Sequence, residues 1–99
     1  MRLNPKQIQI IRQEAQRAFG PDVALRLFGS RLDDASRGGD IDLWVDVPMT
    51  AEQAMQAEGR FYAALQRRLG EQRIDIVVHR QGIPLRPIDE VALREGVGL

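Results

Sequence analysis

Residues 23–47 read VALRLFGSRLDDASRGGDIDLWVDV, an apolar run, a Gly-Ser bend, a polar loop and a second apolar run with acids at alternate positions. In the second run Ile41, Leu43, Val45 and Val47 alternate with Asp42, Trp44 and Asp46. That is the period of a strand whose two faces meet different surroundings. The first run, Val23 to Phe28, is mostly apolar and ends directly on Gly29-Ser30. Two strands flanking a polar loop therefore form the expected centre of the fold.

Outward from this centre the elements alternate. Asn4-Pro5-Lys6-Gln7 has an N-cap residue, a proline at the first turn and a glutamine where a capping box needs it. Leu3 and Ile8 are placed for a hydrophobic staple, and Ile8, Ile11, Ala15 and Phe19 continue one helix face until Gly20-Pro21 stops it. On the other side Pro48 ends the strand, and Thr50 with Gln53 opens a second helix whose apolar side is expected to use Ala54, Met55, Phe61, Tyr62, Leu65 and Leu69. Gly70 closes it, with Arg67 and Arg68 near the negative end of its dipole. A third strand is expected over 73–78, with Ile74, Ile76 and Val78 on one face and Asp75 on the other. After the Gly82-Ile83-Pro84 turn, Ile88 to Glu95 suits a short helix. The order α-β-loop-β-α-β-α predicts an α+β fold, a small mixed sheet with helices packed mainly on one face. A single domain is expected over residues 1–99.

Composition excludes several classes of function. Fourteen Lys+Arg balance fourteen Asp+Glu, so no global basic field recruits nucleic acid, and direct nucleic-acid binding is not expected. The absence of cysteine removes disulfides, thiolate nucleophiles and Cys-based zinc sites. No signal-peptide pattern and no membrane-length apolar run is legible, which leads to the expectation of a cytoplasmic protein with no membrane partner.

The chemistry is local. On a strand rising about 3.3 Å per residue, Asp40 and Asp42 point to one face with Cα atoms about 6.6 Å apart, opposite the core-facing Ile41 and Leu43. Asp75 holds the equivalent position on another apolar strand, and pairing of the two strands brings three acids together. Gathered carboxylates resist ionisation unless a divalent cation neutralises them, and oxygen-only ligands favour Mg²⁺ or Mn²⁺ over zinc. An isolated D-x-D is commonly only the solvated side of a half-buried sheet, and Asp46 is open to that reading. The partner feature is Gly29-Ser30, which follows a buried strand and can turn backbone N–H groups and a hydroxyl toward an anion. Gly38-Gly39 permits a close backbone approach, or is plain loop chemistry.

GSRLDDASRGGDIDLWV resembles the signature of the DNA polymerase beta-type nucleotidyltransferase superfamily: Gly-Ser, a spacer, Asp-x-Asp inside an apolar strand, and a third acid on a later strand. The resemblance runs from about Val23 to Val78, and FGSR with GGDIDL is most similar to the minimal nucleotidyltransferases (MNT), often the antitoxin partner of a HEPN-type ribonuclease toxin. Nine residues separate Ser30 from Asp40, where many MNT antitoxins have ten. The resemblance implies a polymerase beta-like palm, with Gly29, Ser30 and Arg31 on the phosphates of ATP. It further implies Asp40 and Asp42 on Mg²⁺, and Asp75 completing a second metal site and activating the acceptor hydroxyl. Two such ions stabilise the attacking and leaving oxygens of an in-line displacement. The activity implied is a protein adenylyltransferase of the nucleotidyltransferase class, moving AMP onto a hydroxyl of a HEPN toxin.

Other residues carry less. Arg31 and Arg37 are placed to touch phosphates but equally to be solvated, and Asp33 and Asp34 suit turn or capping bonds. His79 suits a surface or hydrogen-bonded role better than that of a general base, and Trp44 suits packing under a helix better than stacking on a base. The competing class is a binding antitoxin that neutralises its partner by occlusion, without transfer. An apolar patch on the final helix is compatible with a homo-oligomer.

Overall fold

The computed structural model describes residues 3–29 and 40–99. The elements are α1 (Pro5–Phe19), β1 (Ala24–Phe28), β2 (Ile41–Val47), α2 (Ala51–Leu69), β3 (Ile74–Arg80), α3 (Pro87–Glu95) and β4 (Val97–Gly98). Both long helices start as their capping sequences predict. Gln7 N–H donates to Asn4 Oδ1 at 2.8 Å and Asn4 N–H to Gln7 Oε1 at 3.0 Å. The reciprocal pair at Thr50 and Gln53 forms at 3.2 Å in both directions. Such pairs satisfy backbone donors that the first helical turn leaves without partners.

The sheet order is β3-β2-β1-β4. β2 runs antiparallel to β1 and parallel to β3, and α2 makes the crossover that a parallel pair requires. The expected small mixed α+β sheet is therefore what forms. Leu25 and Leu27 of β1, Ile41, Leu43, Val45 and Val47 of β2, and Ile74 of β3 turn one face toward α1 and α2. There they meet Ile11, Ala15, Phe19, Ala57, Phe61 and Leu65, with Phe19 and Phe61 edge to face at 5.3 Å. Between the helices the buried Glu14 carboxylate accepts from Arg68 Nη1 at 2.9 Å. Among the described residues no helix is long and apolar enough to cross a membrane.

Two expectations about α2 are corrected. Met55 is 71% exposed and Tyr62 45% exposed, whereas Ala57 and Ala64 are buried. At about 3.6 residues per turn, positions 54, 57, 61, 64 and 65 share one stripe, and 55 and 62 stand beside it. Alanine on that stripe lets α1 approach closely, so the bulkier pair is displaced to the flank. Element bounds also shift: β1 starts one residue later than expected, β3 runs on to Arg80, and α3 starts at Pro87. The two-residue β4 had no apolar pattern to announce it.

Among the described residues, α3 is the helix that covers the second face. Phe28, Trp44 and Ala92 form a small cluster there with Val77 against it. Asp89, which has no exposed surface, ties α3 down. Its Oδ1 accepts from Trp44 Nε1 at 2.9 Å, and its Oδ2 accepts from Arg86 N–H and Nε at 2.8 and 2.9 Å. The hydrogen bonds from Arg86, helped by the one from Trp44, hold the Asp89 carboxyl well below the usual carboxylate range. At the other end Arg26 donates to the carbonyls of Ala92, Leu93 and Gly96, placing a cation at the negative end of the helix. Asp89→Ala leaves the buried indole N–H without an acceptor, and a loss of about 1–3 kcal/mol is expected in urea unfolding. The Asp89 contribution is present above about pH 4 and declines as pH falls toward its depressed pKa, so Asp89→Asn is expected to flatten the acid limb of the stability profile.

Candidate functional site

The register of β2 against β3 decides which side chains meet on the second face. Asp42 is the register partner of Asp75, and Asp46 that of His79. Strands pair about 4.8 Å apart, so each couple stands side by side on one face. The two couples behave differently. His79 Nδ1 lies 2.9 Å from Asp46 Oδ1 and Nε2 lies 2.8 Å from the Ile83 carbonyl, with the ring stacked on Trp44 at 6.1 Å. Both ring nitrogens thus face oxygens, which only the imidazolium can satisfy by donating twice. The bond to Asp46 raises the His79 pKa, burial opposes this, and the Ile83 carbonyl adds to the rise. Histidine here is buried and hydrogen-bonded, and Asp46 is its acceptor instead of a solvated bystander.

At the start of the same strands two carboxylates face each other. Asp42 is half-buried on the central strand, and Asp75 is exposed on the edge strand. On the other side of Asp42 runs the end of β1, because Phe28 is the register partner of Asp42 and Gly29 follows. Gly29 has φ +79°, and a Cβ built on it would fall 2.9 Å from Asp42 Cγ and closer still to Oδ2. Glycine is therefore required twice, by the left-handed backbone and by the carboxylate pressed against it. Gly29 thus lies directly against Asp42.

Asp40 precedes the first ladder residue of β2. The adjacent Ile41 N–H donates to the Arg73 carbonyl at 2.9 Å, and Arg73 Nη1 stands 4.0 Å from Asp40 Oδ1. Among the described residues, no group of three or more His, Asp or Glu side chains is gathered tightly enough to hold a metal ion. The geometry thus joins Asp42 and Asp75 by register, with Asp40 at the strand's entrance. Ser30, Arg31, Asp33, Asp34, Arg37, Gly38 and Gly39 lie outside the described residues. Side-by-side carboxylates with hard oxygen donors suit a divalent cation such as Mg²⁺, which would lift their mutual repulsion.

Asp89 and Arg26 were not singled out by sequence reading, although both shape the site by keeping α3 over the far part of this face. A tryptophan on the polar side of a strand is the signal that could have found Asp89, since its buried indole N–H needs an acceptor. A scan of this chain against models of known protein families finds no match, and no curated protein is significantly similar to it.

Two outcomes test this geometry. Gly29→Ala is expected to cost about 1–2 kcal/mol for the left-handed backbone alone. It should also displace the Asp42 carboxylate, seen as a changed Asp42 carboxyl signal by NMR. At the opposite end, the His79 contribution is fully present below about pH 6.5 and is lost as pH rises through its raised pKa. Stability of the native chain is thus expected to fall as pH rises above about 6.5, and His79→Asn to abolish that slope in urea unfolding.

Proposed function

We propose that this chain is a Mg²⁺-dependent nucleotidyltransferase, moving AMP from ATP onto a hydroxyl of a protein partner. The observation that carries the reading is the register pairing of Asp42 with Asp75, with Gly29 packed against Asp42. Two carboxylates brought side by side by the register offer hard oxygen donors from two strands at one place, the chemistry that suits a divalent cation, whereas the neighbouring Asp46–His79 couple pairs an acid with an imidazole.

In this reading Asp42 and Asp75, joined by the register, would hold magnesium, with Asp40 standing at the entrance of β2. When bound, the metal supplies charge neutralisation to the triphosphate and lowers the pKa of the acceptor hydroxyl. Gly29 gives phosphate oxygens backbone access that any side chain would block, and Ser30 and Arg31 are the proposed phosphate contacts beyond it. Asp42 on the central strand positions the α-phosphate. Asp75, more exposed and at the sheet edge, faces the acceptor and takes its proton. The bond formed joins the acceptor oxygen to the α-phosphorus, the bond broken lies between the α-phosphorus and its bridging oxygen, and pyrophosphate leaves. Positioning and electrostatics account for such chemistry.

The resemblance of FGSR and GGDIDL to minimal nucleotidyltransferases supports a HEPN ribonuclease toxin as the partner, an antitoxin role and a cytoplasmic setting. The test is intact-mass measurement of the neighbouring gene's product after incubation with this chain, ATP and Mg²⁺. A gain of one or more AMP groups is expected. Asp42→Asn is expected to slow it at least about 100-fold, the rate equivalent of a few kcal/mol of lost metal stabilisation, without weakening co-purification. A partner silenced with no mass gain, and equally well by Asp42→Asn, would establish occlusion instead.

A further inference from the structure

The two edges of the sheet are unlike. β4 offers two residues, a short edge that invites no further strand. β3 offers seven, IDIVVHR, without proline or glycine, and it is the outer strand on its side. A long edge of this kind, with the unbroken apolar centre Ile76-Val77-Val78, is a template for pairing, and proteins ordinarily blunt or cover such edges. The hydrogen bonds from Ile41 N–H to the Arg73 carbonyl and from Gln81 N–H to the Val47 carbonyl show which residues point where. Odd-numbered residues of β3 aim their backbone groups at β2, so Ile74, Ile76 and Val78 aim theirs outward. Beside this edge run two cavities of about 450 and 180 Å³, sharing Glu58 and flanked by the exposed Tyr62 and Met55 of α2.

We propose that this edge pairs with the same edge of a second copy of the chain, β3 antiparallel to β3 about a two-fold axis at Val77. The strand is complementary to itself in this register. Ile76 stands opposite Val78 of the second copy, a matched apolar pair on the α2 side. Asp75 stands opposite His79 of the second copy, whose ring nitrogens stay bonded to Asp46 and Ile83, so an acid lies beside an imidazolium without a like-charge clash. Ile74 receives Arg80 of the second copy, bringing a guanidinium toward Glu58. The register also joins outward-aimed residues to outward-aimed residues, as an antiparallel ladder requires. A closed two-fold leaves only the two short β4 strands at the outer edges, and it folds Met55 and Tyr62 into the contact between the two α2 helices. The two Asp75 residues then lie on the same face, about 13 Å apart along the strands. The proposal rests on the β3 edge and not on nucleotide chemistry.

Sedimentation of the full chain is expected to give twice the monomer mass of 11.2 kDa. Val77→Cys supplies a register test, because the chain contains no other thiol. Cα atoms in a non-hydrogen-bonded antiparallel pair are about 4.5 Å apart, within disulfide range. Val77→Cys is expected to oxidise to a covalent dimer, while the exposed Gln56→Cys stays monomeric on a non-reducing gel. Met55→Glu with Tyr62→Glu alters only exposed positions, so the double variant should keep its circular dichroism and sediment at the monomer mass. A monomeric native chain, a dimer that Val77→Cys does not cross-link, or a dimer that survives Met55→Glu/Tyr62→Glu would each overturn the proposal. So would a dimer dissociated instead by Ile88→Glu/Leu93→Glu on α3.

Discussion

The parallel register between β2 and β3 is the constraint from which the candidate site follows. A strand slipped by one residue would turn its whole apolar set to the other face, so the buried run Ile41, Leu43, Val45 and Val47 excludes every odd slip, and the register formed sets Ile41 against Ile74. That pairing is chosen by packing against α1 and α2, remote from any chemistry. Its consequence on the opposite face is fixed all the same: acid beside acid at the start of the strands, acid beside histidine at their end. The core thus sets the site's geometry without contributing an atom to it.

The second face is divided by α3. Asp89 binds Trp44 and Arg86 on one side, Arg26 holds the helix's last carbonyls on the other, and between them Ala92 seats against Phe28 and Trp44. A buried charge of this kind adds little net stability over an apolar substitute, yet it fixes one placement for a short helix that has few apolar contacts of its own. With α3 anchored at Trp44, Asp75 remains exposed at the sheet's edge. Were α3 to slide by one turn, about 5.4 Å, it would encroach on that open half.

Much of this was legible in the sequence because the signals were local. Alternation of apolar and polar residues gave β2 its faces, and the Asn4-Gln7 and Thr50-Gln53 pairs marked helix starts to the residue. What was not legible depends on neighbours far along the chain. Met55 and Tyr62 are apolar and fall next to the buried stripe of α2, and only the tertiary packing of that helix shows that Ala54, Ala57 and Ala64 are inside it while they are not. β4 exists because Leu99 N–H reaches the Leu25 carbonyl, a bond that no two-residue pattern announces. For the site, the facing of Asp42 and Asp75 followed from period two on both strands, whereas the register joining them needed the tertiary structure. Asp40 illustrates the limit of counting by twos: it stands one residue before the ladder, where alternation is no longer enforced by cross-strand bonds.

Asp42 and Asp75 are chemically identical and mechanically different. Asp42 sits on the central strand, flanked by ladders on both sides and backed by the most buried row of the core, so its backbone is held as firmly as any in the molecule. Gly29 presses on its carboxylate and narrows its rotamers further. Within one chain Asp75 has a ladder on one side only, and its side chain is exposed. The proposed transfer would make use of this asymmetry. A reacting phosphorus must be held still, which suits the carboxylate on the central strand, while an acceptor that arrives and departs on another molecule is better met by the more exposed side chain. Exchanging the two roles would place the mobile partner over the most enclosed strand, so the strand order supports Asp42 on the phosphate and Asp75 on the acceptor in that proposal.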